Sequence, residues 1–297
     1  MYRRPAGAGG ALIAPVLALV LALTAPASAA EFLGRHVWRP GWHGAGGYSA
    51  LWLDSGGTGF VTLSDRGSWV RGRLTRDVRG AVVGVEVEAR GPLLRSTGGR
   101  LRRLERDAEA LARVDGAFYV AFESEDRVMR HLSLDAPPQR IGRHEAFAEL
   151  GDNSGVEALA ADAAGMLYAI PERSGAADRP FPVFTRPARG EDVPWRHAFD
   201  IPRDGGFLVT GADVGPDGRL YVLERDFVIV GFRSRLRSFD LTGGDERLEF
   251  ESGLRMHDNL EGIAVWRDAD GRRRATLISD DNLRSVQITE FVDYLLD

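Results

Sequence analysis

Residues 155–172 read G-V-E-A-L-A-A-D-A-A-G-M-L-Y-A-I-P-E. An acid, Glu157, opens a short apolar run, a turn ending in Gly165 follows, and a second apolar run leads to another acid, Glu172. Two such runs around a glycine turn read as a β-hairpin, because glycine supplies the positive φ that a tight reversal needs. The pattern returns four more times. Ser49-ALWLD turns through SGGTG into FVTLS-Asp65, and Glu109-ALARV turns through DG into AFYVAF-Glu123. Asp213-V turns through GPDG into RLYVL-Glu224, and Glu261-GIAVW turns through RDADG into RRRATLIS-Asp280. The opening residues lie 48 to 60 positions apart.

A repeat of this period built from hairpins predicts a propeller, in which each blade is a sheet of about four antiparallel strands. Room for two further strands follows each hairpin. Candidates are residues 69–74 and 82–89, then 128–134, 181–185, 235–241 and 285–291. The last repeat is one strand short, and residues 32–38 have no other home. They are assigned as the strand that completes the last blade and removes an exposed edge. The expectation is an all-β chain folded as a single β-propeller of five blades. A sixth, degenerate blade stays open, as does a β-sandwich with coincidental hairpin similarity. The proline-rich stretch 174–195 reads as a loop excursion and not as a domain boundary.

Composition removes whole chemistries. The chain of 297 residues has no cysteine, and all 38 basic residues are arginine. Schiff-base and P-loop lysines, cysteine nucleophiles, thiolate metal sites and disulfides are therefore excluded. A net charge of -5 offers no footprint for nucleic acid. At the start, Arg3 and Arg4 precede an apolar run over 11–23 and the small-residue box Ala27-Ser28-Ala29. This is the grammar of a secretory signal, so residues 1–30 are expected to be removed, leaving a propeller domain over 31–297 in the periplasm or the medium. The run is too short for a comfortable membrane span of about 20 residues, and no stable membrane insertion is expected after removal.

The ends of the hairpins carry the chemistry. Strands of a hairpin are antiparallel, so opening and closing residues share one end. The openers Glu109, Glu157, Asp213 and Glu261 and the closers Asp65, Glu123, Glu172, Glu224 and Asp280 are expected around one mouth of a central channel. Asp107 sits beside the set. Two carboxylates about 4 Å apart repel by roughly 4 kcal/mol at an effective dielectric near 20, so such a ring needs protons, arginines or bound cations. Hard oxygen donors without cysteine point to calcium or magnesium. The plainer reading is that each acid only glues neighbouring blades through their backbone. His257, in a loop before Asp258, Asn259 and Glu261, is read either as a histidine titrating near neutrality at the mouth or as an ordinary surface histidine.

The segments Y-S-A-L-W-L-D at Tyr48, L-S-D-R-G at Leu63, G-V-E-A-L-A at Gly155, G-A-D-V-G-P-D-G-R-L-Y-V-L-E-R at Gly211 and D-N-L-E-G-I-A-V at Asp258 resemble the bacterial phytase-like family. The resemblance implies an exported propeller with phosphoester- or ester-cleaving activity on a small molecule. The working assignment is a calcium-dependent hydrolase. Glu109, Glu157, Asp213, Glu224 and Glu261 are its candidate metal ligands, Glu172 or Asp280 its candidate general base, and Arg66, Arg173 and Arg225 its candidate anion clamps. Two alternatives stand beside it. One is a non-catalytic periplasmic binding module. The other is a lactonase-type propeller using Glu157, Asn259 and Asp280.

Overall fold

In the computed structural model the described residues are 30–123, 127–141, 155–176, 178–190 and 193–296. The expected leader lies outside them, apart from Ala30. Twenty strands make five four-stranded antiparallel sheets, which form a five-bladed propeller. Blade one holds β2 (Tyr48–Leu53), β3 (Gly59–Ser64), β4 (Ser68–Arg76) and β5 (Val82–Pro92). Blade two holds β6 (Ala108–Val114), β7 (Ala117–Phe122), β8 (Arg127–His131) and β9 (Gln139–Arg140). Blade three holds β10 (Val156–Ala161), β11 (Met166–Pro171), β12 (Phe181–Pro187) and β13 (Arg196–Ile201). Blade four holds β14 (Leu208–Val214), β15 (Leu220–Val228), β16 (Gly231–Phe239) and β17 (Arg247–Glu251). Blade five joins β18 (Asn259–Arg267), β19 (Arg273–Asp280) and β20 (Glu290–Leu295) to β1 (Glu31–Val37) as its outer strand.

The innermost strands β2, β6, β10, β14 and β18 each touch the next around the ring, and β18 touches β2 to close it. Close approach at the axis needs small residues. A Cβ on Gly211 would lie 2.3 Å from the carbonyl oxygen of Glu261 in the next blade, so only glycine fits there. Five apolar clusters lie between successive blades, each drawing on both neighbours; Ala50, Leu63 and Phe122, for example, join blades one and two. Phe60, Phe122, Phe181, Phe239 and Phe291, one per blade, are fully buried. Burying each such side chain stabilises the fold by about 1.5–3 kcal/mol.

The expected closure by the first strand is present: Glu31 to Val37 pair antiparallel with Leu295 to Glu290. The strand expected at 285–291 lies later in the chain, since β20 starts at Glu290. The preceding residues turn instead. Asp258 accepts hydrogen bonds from the Ile288 amide at 2.8 Å and the Gln287 side chain at 3.1 Å, which holds the segment out of the sheet.

Candidate functional site

One local device repeats in every blade. The innermost strand loses register with its partner at a single extra residue: Ser49, Glu109, Glu157, Thr210 and Glu261 in blades one to five. A bulge re-aims the side chain it carries. Here the bulge residues of blades two, three and five turn Glu109, Glu157 and Glu261 to the channel, where with Ser49 and Gly211 they line a throat of about 10 Å³. That space suits one water molecule or one bare ion.

A second tier sits at the mouth, one residue past each throat pair. Asp65, Glu123 and Glu172 donate their amides to the carbonyls of Gly47, Asp107 and Gly155, which fixes them at the ends of the second strands. Asp280 pairs with Asn259 at the same level. In blade four this position, opposite Leu208, belongs to Arg225. Four blades therefore present an acid and one presents a cation. Arg225 reaches Glu261 at 2.9 Å and Glu172 at 3.3 Å, and it also hydrogen-bonds the side-chain oxygen of Asn259.

One arginine does not discharge the ring. Burial, followed by the charges of Glu157, Glu261, Asp107 and Asp65, pushes the Glu109 carboxyl well above its ordinary range. Glu157 is pushed well up by burial and by Glu123, Glu172 and Glu261, with Arg225 opposing. Glu261 is raised by burial, against the pull of Arg225 and a hydrogen bond from Asn259. Asp280 is pushed up to about 8 by burial and by the nearby Glu261 charge. Near neutral pH the ring therefore holds protons, or cations in their place.

The donor set fits a hard cation. Asp107, Glu109 and Glu123 can each offer an oxygen so that all three lie within 4.8 Å of one another. Oxygens that share one calcium ion, at bonds of about 2.3–2.6 Å, lie no more than about 5 Å apart, and these three meet that condition.

Of the five sequence-derived ligand candidates, the structure brings Glu109, Glu157 and Glu261 together and places Asp213 and Glu224 elsewhere. The matching positions in blade four are Thr210 and Arg225. Asp213 lies three residues further along β14 and accepts the Val265 amide of blade five at 2.7 Å, the blade-gluing role. It lines a separate vestibule of about 480 Å³ with Trp52, Arg113 and Val265. Glu224 is fully buried between β15 and β16, where Arg235 and Arg237 hold both its oxygens. The hairpin lengths carried the signal: Thr210 precedes Gly218 by eight residues, as Glu157 precedes Gly165.

Asp213 supplies a pH prediction. Burial pushes its carboxyl up to about 7, against hydrogen bonds from the Val265 and Val214 amides. A folded-state value above the unfolded one means that the neutral acid is favoured by folding. That stability is complete below about pH 4 and lost as the pH rises through 7. Asp213→Asn is therefore expected to match the parent at pH 4 and to exceed it at pH 8 by about 1–2 kcal/mol, allowing for solvent in the vestibule. Urea unfolding at both values checks this, and an unchanged or lower stability at the higher pH contradicts it.

The arginine candidates divide. Arg173, half-exposed on the rim, pairs with Glu172 at 2.8 Å. Arg225 is the counterion already described. Arg66 faces a neighbouring cleft in blade one. Of the lactonase trio, Asn259 is engaged on both sides, donating to Glu261 at 2.7 Å and accepting from Arg225. His257 is neither at the mouth nor on the surface. It is buried against the Tyr294 hydroxyl at 2.6 Å, and burial holds its ring down at about 4.

The profile of the phytase-like family, described as esterase-like activity of phytase, matches residues 43–283. The chain belongs to this family. No curated protein sequence matches it. Among solved structures, the chain is similar to an endo-arabinase from Bacteroides thetaiotaomicron, with 11% identity, 85% of this chain and 94% of that one covered, and a TM-score of 0.49. It is also similar to the PQQ-bound aldose sugar dehydrogenase of Streptomyces coelicolor, with 12% identity, coverage of 90% and 98%, and a TM-score of 0.46. A luciferin-regenerating enzyme shows 15% identity, coverage of 84% and 78%, and a TM-score of 0.42. Likeness at this level carries nothing about activity.

Proposed function

We propose that the chain is an exported, calcium-dependent hydrolase of phosphate esters or related esters of small molecules, acting at the acid-lined mouth of its channel. The observation that carries this reading is the convergence of throat and rim carboxylates from four blades around a space of one ion. Blade gluing alone does not call for that. Asp107, Glu109 and Glu123 would hold the cation, with Glu157 and Glu261 completing the negative field around it. A bound calcium ion would offset the charge on a phosphoryl or carbonyl oxygen.

The chain's own groups supply the rest. Asp280 holds a proton near neutral pH and can pass it to a leaving oxygen. Glu172, tied to Arg173 and Arg225, keeps those guanidiniums oriented at the rim. Arg173, on the rim, would grip the oxygens of an anionic ester, whereas Arg66 faces the neighbouring cleft. Arg225 favours the ionised form of Glu261 against the opposing effect of burial. In this reading the protein works in the periplasm or the medium, where calcium is available.

Purified protein should turn over generic phosphate or carboxylate esters in calcium and lose at least about 100-fold of that rate in chelator or as Asp280→Asn, the usual scale for a lost proton-transfer group. Absence of turnover on every ester class in both conditions would leave a calcium-binding module without catalysis.

A further inference from the structure

Blade one carries a second polar compartment. Beside the acid mouth lies a cleft of about 390 Å³ lined by Arg66, Arg90, Arg100, Arg106, Trp42 and Trp69, among others. The volume is that of a small-molecule site. Among the described residues none of these four arginines forms an ion pair, whereas Arg173 and Arg225 do. Arg106 engages only its Nε, on the Leu101 carbonyl at 3.3 Å. Arg90 lies over the Trp42 ring at 4.7 Å, which fixes its plane and leaves its edge free.

The segregation is local and sharp. Asp65 and Arg66 are adjacent in the chain, as are Arg106 and Asp107. The acids act on the channel: Asp65 is felt by Glu109 and Glu261, and Asp107 belongs to the three-carboxylate cluster. Their arginine neighbours line the cleft and form no ion pair with them, although the Arg66 charge is still felt by Asp65. Trp69 adds an independent observation. It is 8% exposed, and its indole N–H has no acceptor among the described residues. Gly91 lets the backbone lie against that ring, since a Cβ there would sit 3.2 Å from it. The wall thus holds a buried donor without an acceptor beside four exposed guanidiniums that, among the described residues, form no ion pair.

We infer that this cleft binds a small organic or inorganic oxyanion carrying two or more negative charges. Guanidinium forks match the paired oxygens of phosphoryl and carboxyl groups, and the anion relieves the mutual repulsion of the four arginines. The Trp42 side of the cleft, which is only partly buried, would take the carbon skeleton of an organic ligand. The site takes phosphorylated and polycarboxylated molecules by the same chemistry.

The test is calorimetric titration of the metal-free protein, in chelator at low salt, with pyrophosphate and separately with malonate. Both probes lack a hydrolysable organic ester, so the result stands apart from the activity proposed for the mouth. Binding of either probe, weakened about tenfold or more in Arg90→Gln and in Arg106→Gln, is the expected result, since each removes one charge-assisted contact. The ratio of the two affinities separates a phosphoryl from a carboxyl preference. No binding of either probe at about 10 mM, the edge of measurable affinity, overturns the inference. Undiminished binding in both folded variants overturns it equally.

Discussion

Glu224→Gln is expected to lower stability by about 3–5 kcal/mol while leaving any response to calcium intact. Its carboxylate accepts from Arg235 at 2.9 and 3.2 Å and from Arg237 at 2.7 Å on both oxygens. All three side chains are almost fully buried. Glutamine keeps the shape and one acceptor oxygen, but it removes the charge and sets an NH2 donor against guanidinium donors, so beyond that oxygen the two arginines rely on their outer contacts. Those contacts are to Asp204 and Pro202 and to Glu246. Urea unfolding in calcium and in chelator measures both halves of the expectation. A folded variant that has lost a calcium response seen in the parent would return Glu224 to the metal ligands.

Calcium added to chelator-stripped protein is expected to raise the melting temperature by about 5–10 °C at a hundredfold excess over Kd. The linkage is worth about 2.7 kcal/mol, and 1 kcal/mol is about 2–4 °C for a chain of this size. Glu109→Gln should erase most of that rise, because Glu109 belongs to the three-oxygen cluster and lines the throat. The same substitution should raise the melting temperature of the metal-free protein above neutral pH. The Glu109 carboxyl is held well above its ordinary range, so ionising it costs stability as the pH rises, and an amide escapes that cost. Scanning calorimetry in the two buffers reads both signs. No calcium response in the parent, or the same response in Glu109→Gln, would sink the cation site.

Much of the propeller was legible because its inner hairpins obey simple rules. Glycine must stand where the chain reverses, apolar residues must fill the gaps between blades, and acids at strand ends break the pattern visibly. The outer strands obey no such rule. β9, β13 and β17 are largely exposed, and Arg196–Ile201 and Arg247–Glu251 are not among the strands expected from the sequence. The site was legible in four blades of five, with a serine instead of an acid at the throat of blade one. In blade four an acid stands near each expected place, three residues too late at Asp213 and one too early at Glu224. Asp213 and Glu224 were thereby matched to positions that belong to Thr210 and Arg225. The bulges, which decide where each glutamate points, follow from strand pairing and leave no mark in a single sequence.

The joining of β1 to β20 ties residues at opposite ends of the described chain into one sheet. Until β20 is made, blade five is only the β18–β19 hairpin, and β1 has no strand to pair with. Contacts of such long sequence separation form slowly. The half-made ring meanwhile exposes the flanks of its unfinished sheets, the surface on which chains of this kind aggregate. β20 is thus the bridge between β1 and the inner strands of blade five, and its loss would strip β1 of its sheet partner while leaving β18 against β2 at the axis.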